Sequence, residues 1–142
     1  MSEESITPDL VELVGRTLYP LNTGDYDAIM RMYAPDSVFD LSTLGLDTFT
    51  GAAAIRAFVE DWFDAYDEVD VQTEEILDLG NGVAFALVCQ NCRPRGSANH
   101  VRVRYAAVSV WVDGLAMRTM NYLDIDEARA AAERLAEERA DG

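Results

Sequence analysis

Few side chains in this sequence offer chemistry, and their spacing scatters them. Cys89 and Cys92 form a C-x-x-C, His100 is the one histidine, Arg93-Pro94-Arg95-Gly96 is the one local basic cluster, and Asp40 sits on a short predicted strand. A C-x-x-C does redox work when a helix N-terminus stabilises its thiolate, and it holds zinc when further Cys or His complete the set. Here the pair ends the apolar run Val83-Ala84-Phe85-Ala86-Leu87-Val88-Cys89, which has the composition of a strand. Side chains three apart on a strand point to opposite faces, so the thiols do not converge. The expectation is two structural cysteines and no metal site. His100 opens a strand beside a polar loop and is expected in solvent. The arginine loop either draws an anionic molecule by its field or is a solvated turn.

Composition narrows the partners. The 142 residues are 49% hydrophobic, enough for a single domain spanning 1–142 with a sizeable core. The formal net charge is −15, and all eleven basic residues are arginine. That field repels phosphate backbones and anionic lipid surfaces, which argues against nucleic-acid and membrane partners. No apolar run approaches the roughly 18 residues a membrane span needs. The polar, acidic start, Met1 to Ser5, does not resemble a secretory signal, so a cytoplasmic location is expected.

Periodicity and turn signals outline the elements that would position these groups. Thr7-Pro8-Asp9 has the pattern of a helix start, leading into a helix that buries Leu10, Val14 and Leu18. Asn22-Thr23-Gly24-Asp25 is a turn in which Asp25 caps a short second helix through Ile29, Met32 and Tyr33. Pro35 disfavours helix at Ala34, and the chain extends into a strand around Ser37–Leu41. Ile55, Phe58, Val59, Trp62 and Tyr66 make one apolar stripe on a third helix running from Ala52. From Val69 the pattern turns to strands, with tight turns at Gly80-Asn81-Gly82 and Asp113-Gly114. Asp124 with Glu127 resembles a capping box and opens an Ala- and Glu-rich terminal helix expected to fray before Asp141. Helices first, then a connected sheet, then a helix is an α+β order.

Taken together, Asn22-Thr23-Gly24-Asp25-Tyr26, Met32-Tyr33-Ala34-Pro35-Asp36, Val38-Phe39-Asp40, Phe49-Thr50-Gly51, Ala54-Ile55-Arg56-Ala57-Phe58 and Val112-Asp113-Gly114 resemble the NTF2-like superfamily. The likeness, over about Leu10 to Ala132, is to its SnoaL-like (polyketide cyclase-like) and ketosteroid isomerase-like branch. It implies a cone: a curved antiparallel sheet wrapped around the N-terminal helices, enclosing one deep pocket, with an extra C-terminal helix. In the isomerase mechanism a carboxylate removes a proton next to a carbonyl, while a Tyr hydroxyl and a neutral acid stabilise the enolate. The resemblance places the base at Asp40, but Thr17 stands at the Tyr position and Val108 at the acid. An epoxide hydrolase of this superfamily needs an Arg and an Asp two apart, and Ala106 follows Arg104 at that spacing. A dehydratase of the scytalone type needs more than one His. A cyclase needs little beyond a shaped apolar pocket and one acid or base.

The same carry-over implies the pocket wall. Val108 faces inward with Arg104 on the same side; Leu87, Cys89 and Asn91 line it from the neighbouring strand. Met117, Thr119 and Asn121 follow from the last strand, and Phe58, Val59 and Trp62 from the third helix. A slip of one residue would exchange Asn121 for Arg118 and Tyr122. The opposite face of the long strand carries Tyr105 and Trp111, and proteins of this fold commonly pair there, which implies a homodimer through the outer sheet face. The leading expectation is a small hydrophobic molecule handled without metal or cofactor, by acid–base chemistry at Asp40 with Arg104 or Asn121 orienting it. The alternative is a ligand-binding or dimerisation domain with no chemistry. In that case Asp40 only accepts structural hydrogen bonds and Arg104 sits in an ion pair.

Overall fold

The computed structural model describes residues 9–141. Thr7 and Pro8 of the expected helix start lie outside them; Asp9 supplies the cap, accepting a hydrogen bond from the Glu12 amide at 2.8 Å. Helix α1 (Leu10–Leu18) leads through a single 3-10 turn to α2 (Tyr26–Met30), which Asp25 caps by accepting from the Ala28 amide. Strand β1 (Tyr33–Asp40) starts earlier than Pro35 suggested, and its register slips between Tyr33 and Val38, where an imino acid is tolerated. A short turn and β2 (Thr48–Thr50) precede α3 (Ala52–Asp64). Gly51 caps that helix at φ 96°, a left-handed conformation that favours glycine. Then come β3 (Tyr66–Gly80), β4 (Val83–Pro94), β5 (Val101–Val112), β6 (Leu115–Tyr122) and α4 (Ile125–Asp141).

The six strands form one curved, unclosed sheet in the order β2-β1-β6-β5-β4-β3. All neighbours run antiparallel except β1 and β6, which run parallel, so the expected antiparallel sheet is mixed at that one seam. The β3–β4 turn has Asn81 at φ 59° and Gly82 at φ 79°, the primed geometry the Asn-Gly pair demands. A Cβ at residue 82 would meet the Trp111 carbonyl oxygen, so only glycine fits there.

Helices α1, α2 and α3 pack on the inner face. Their buried side chains, among them Val14, Ile29, Ile55 and Val59, meet Val71, Ala84, Ala86, Val88 and Trp111 of the sheet. Helix α4, begun by Asp124 accepting from the Glu127 amide at 3.0 Å, packs on the outer face. Its Ala128, Ala132 and Ala136 meet Val83, Phe85, Leu87, Ala106 and Val108. The helix continues through Asp141, past the expected fraying point. The outer face expected to pair with a second copy is therefore largely taken by the chain's own helix. Tyr105, expected on that face, belongs with Trp111 to the inner core instead. Among the described residues no helix is long and apolar enough to cross a membrane.

Candidate functional site

Between the inner face, α1, α3 and the segment after β1 lies a cavity of about 160 Å³. Its floor is the sheet: Gln90 from β4, then Val103, Tyr105, Ala107, Ser109 and Trp111 from β5, and Ala116, Thr119 and Asn121 from β6. Helix α3 contributes Phe58, Val59 and Trp62. Phe58 stands edge-on to Phe39 with ring centroids 6.0 Å apart, and 5.8 Å from Trp62. Leu46, Trp62 and Leu123 line the cavity yet stay 41%, 40% and 60% exposed, which marks the mouth.

The remaining wall is a strap from Leu41 to Asp47 that sequence periodicity did not reveal. It bends through a 3-10 turn at Ser42–Leu44, with Gly45 closing it, and carries Leu41, Leu44 and Leu46 to the cavity. Polar clips fasten it. The Asp40 carboxylate accepts from the Ser42 hydroxyl at 2.6 Å, the Ser42 amide at 2.9 Å and the Thr48 hydroxyl at 3.1 Å. Arg118 reaches its other oxygen at 3.3 Å, and the Thr43 hydroxyl donates to the Asn121 carbonyl. The Ser42 hydroxyl, then the Ser42 amide, and then Thr48 and Arg118 hold the Asp40 carboxyl below its ordinary value, against a desolvation that opposes them.

No ionised carboxylate, guanidinium, imidazole or thiol lies among the described residues lining the cavity. The polar groups are neutral, and some are already used: Thr17 donates to the Val14 carbonyl at 2.7 Å, and Trp111 Nε1 to Ser109 Oγ at 2.8 Å. Others are not. The Asn121 Oδ1 is buried with no partner among the described residues. Burial pushes the Tyr33 phenol up to about 12, a hydrogen bond with Thr119 offsetting part of this. Burial, then nearby Tyr33 and Cys92, push the Tyr105 phenol up further. Both are neutral donors. An unpaired buried acceptor costs about 1–3 kcal/mol, so Asn121 is a group that a bound molecule can satisfy.

Of the residues expected to form the wall, the structure brings together Phe58, Val59, Trp62, Thr119 and Asn121. The others are placed elsewhere. Asp40 alternates with Phe39 and Leu41, so its carboxylate lies on the side away from the cavity, against Arg118. Leu87 and Val108 are on the outer face beneath α4. Cys89, on that face, accepts from Arg102 Nε at 3.2 Å, and Arg104 pairs with Glu74 at 3.1 Å rather than with Asp40. Asn91 borders a polar cleft with Asp67, Asp70 and His100. Met117 falls at a register slip opposite β5 that sets Ala116 against Trp111, and Ala116 forms the wall. The common cause is strand phase: β4 and β5 present even and odd residues to the cavity, respectively, the reverse of the expectation. Both cysteines are free; Cys92 is buried and Cys89 only half-buried. His100 is exposed beside Glu68 at 3.3 Å. The wall residues that sequence reading missed are chiefly Tyr33, Gln90, Tyr105, Ser109 and Trp111.

Several solved structures share this architecture at low sequence identity. A protein of ketosteroid isomerase-like fold from Catenulispora acidiphila DSM 44928, solved with trimethylamine, superposes with a TM-score of 0.70 at 14% identity, covering 85% of this chain and 92% of its own. A candidate SnoaL-like polyketide cyclase from Shewanella denitrificans OS-217 gives 0.66 at 15% identity, covering 87% and 96%. An LEH-like epoxide hydrolase from M. tuberculosis gives 0.68 at 14%, covering 87% and 89%. No curated protein matches in sequence. These likenesses establish the NTF2-like fold. A model of the SnoaL-like domain matches residues 14–119. With most of its length so matched, the chain belongs to the SnoaL-like domain family.

Proposed function

We propose that this chain is a binding domain that takes a small, neutral, hydrophobic molecule into the inner cavity, and that Asp40 is a structural residue rather than a base. The observation that carries this reading is the placement of Asp40. Its carboxylate is saturated by Ser42, Thr48 and Arg118 on the far side of β1, while the cavity holds no ionised group among its described lining residues. A general base must reach the proton it removes, directly or through one water. Asp40 faces away from any molecule in the cavity. An apolar wall with a few neutral polar groups is what a ligand site requires. The trimethylamine complex of the Catenulispora relative fits a fold that receives small organic molecules.

Both tryptophans of the chain line the cavity, so intrinsic fluorescence reports on its contents. Titration with toluene should give a saturable change in emission. Asp40→Asn should leave that affinity within about twofold while lowering stability by about 1–2 kcal/mol, as one charge-assisted acceptor is lost. The sign with pH follows from the lowered carboxyl: its contribution is present above the ordinary value of 3.8 and disappears as pH falls through the folded-state value. Urea melts of the two proteins should therefore differ above the ordinary carboxyl value and converge only as pH falls through the lower folded-state value. Failure of toluene and other neutral one-ring compounds to bind overturns the proposal. So does an Asp40→Asn variant that loses binding while remaining folded.

The chain is also proposed to act as a monomer, because α4 answers the apolar demand of the outer face that suggested a dimer. Sedimentation at micromolar concentration should return the single-chain mass; twice that mass refutes it.

A further inference from the structure

The size, charge and unused hydrogen-bonding groups of the cavity together specify a ligand class. A cavity of about 160 Å³ is close to the roughly 150 Å³ of an apolar protein cavity that holds benzene, so it has room for one ring. A net charge of −15 and a wall with no guanidinium among the described residues exclude carboxylates and phosphates. The same wall has no carboxylate to neutralise a buried ammonium. A donor and an acceptor share this wall. Asn121 on β6 has a buried acceptor with no partner among the described residues, and the phenol-bearing Tyr105 on β5 lines the same cavity. Asn121 lies directly across from Ala107, two residues from Tyr105 on the same face, so the two side chains rise from diagonal positions.

Resting on the binding reading above, we propose that the cavity selects neutral one-ring alcohols and phenols, whose hydroxyl accepts a hydrogen bond from Tyr105 and donates one to Asn121. A single hydroxyl is the smallest group that does both. The side-chain amide of Asn turns about a soft two-fold torsion, so its oxygen can swing to meet the donor. Burial keeps Tyr105 protonated and able to donate. Trp62 and Phe58 supply ring faces against which the rest of the molecule packs.

Phenol and toluene have the same shape and differ in one group, hydroxyl against methyl, which makes them the probes. Binding is followed by tryptophan emission and calorimetry in the intact chain and in two variants, Tyr105→Phe and Asn121→Leu. Tyr105→Phe removes a single oxygen and leaves the ring packing in place. Each variant should weaken phenol by about tenfold, the worth of one hydrogen bond, and leave toluene within about twofold. Benzoate should not bind. If either variant shifts both probes equally, or phenol is unmoved in both, the hydroxyl assignment falls while the binding reading stands. If the intact chain binds neither phenol nor toluene, the binding reading falls and takes the assignment with it.

Discussion

Phe85→Ala should cost about 3–5 kcal/mol, the largest loss expected from a single side chain here. Phe85 is fully buried on the outer face of β4, paired in register with Val108 and packed beneath α4. On the α4 side the cluster presents Ala128, Ala132 and Ala136, whose short side chains cannot reach into the gap. A cavity that cannot collapse costs the lost transfer energy and the lost contacts together. The Arg129 guanidinium also lies over the Phe85 ring, 4.6 Å from its centroid, and pairs with Glu75 at 2.9 Å. Removing the ring forfeits that cation–π contact, worth about 0.5–1 kcal/mol at a partly exposed site. Urea unfolding should show a lower midpoint with an unchanged slope. Amide exchange along α4 should accelerate more than along α3, because α4 loses its main anchor and α3 does not. A loss under about 1 kcal/mol would mean that α4 does not depend on this face.

The local signals in the sequence carried most of the fold. Asp25 and Asp124 cap the helices expected of them, and Asn81 and Asp113 adopt the positive φ their turns demand. These are decisions made within four residues, and the side chains involved have few alternatives. Strand phase is different, because it depends on what covers each face. Along β5 the odd residues Tyr105, Ala107 and Trp111 and the even residues Ala106, Val108 and Val110 are both apolar, so alternation alone does not choose. The structure shows why both faces had to be apolar: α1 and α3 cover one and α4 the other. One signal was available. Ala128, Ala132 and Ala136 recur at helical spacing, and a helix with so small a face must lie close against small partners. That assigns Ala106 and Val108 to α4 and leaves Tyr105 and Trp111 for the cavity. Helix α3 needed no such choice, and Phe58, Val59 and Trp62 line the cavity as the stripe implied. The strap was illegible for another reason: its shape comes from Asp40, Ser42 and Thr48 hydrogen bonds, which leave no periodic trace.

Ala107→Phe should weaken ligand binding about a hundredfold and leave the protein as stable as before or more so. Ala107 stands on the cavity face of β5, between Tyr105 and Ser109 and directly across from Asn121. A ring built there starts from a position that lines the cavity. Aromatic residues suit a strand, and filling a cavity commonly gains about 0.5–2 kcal/mol. The same ring occupies the volume a one-ring ligand needs, so toluene and phenol should both weaken by about a hundredfold, the apolar burial of one ring. The tryptophan response to either should vanish, while the melting temperature holds or rises. This separates the two accounts of the site more sharply than any change at Asp40. A function exercised on the far side of β1, where Asp40 meets Arg118, would be untouched by a ring inside the cavity. A function exercised in the cavity is lost although the chain is fully folded. A folded Ala107→Phe protein that still binds toluene with its original affinity would place the ligand outside this cavity and overturn the assignment of the site.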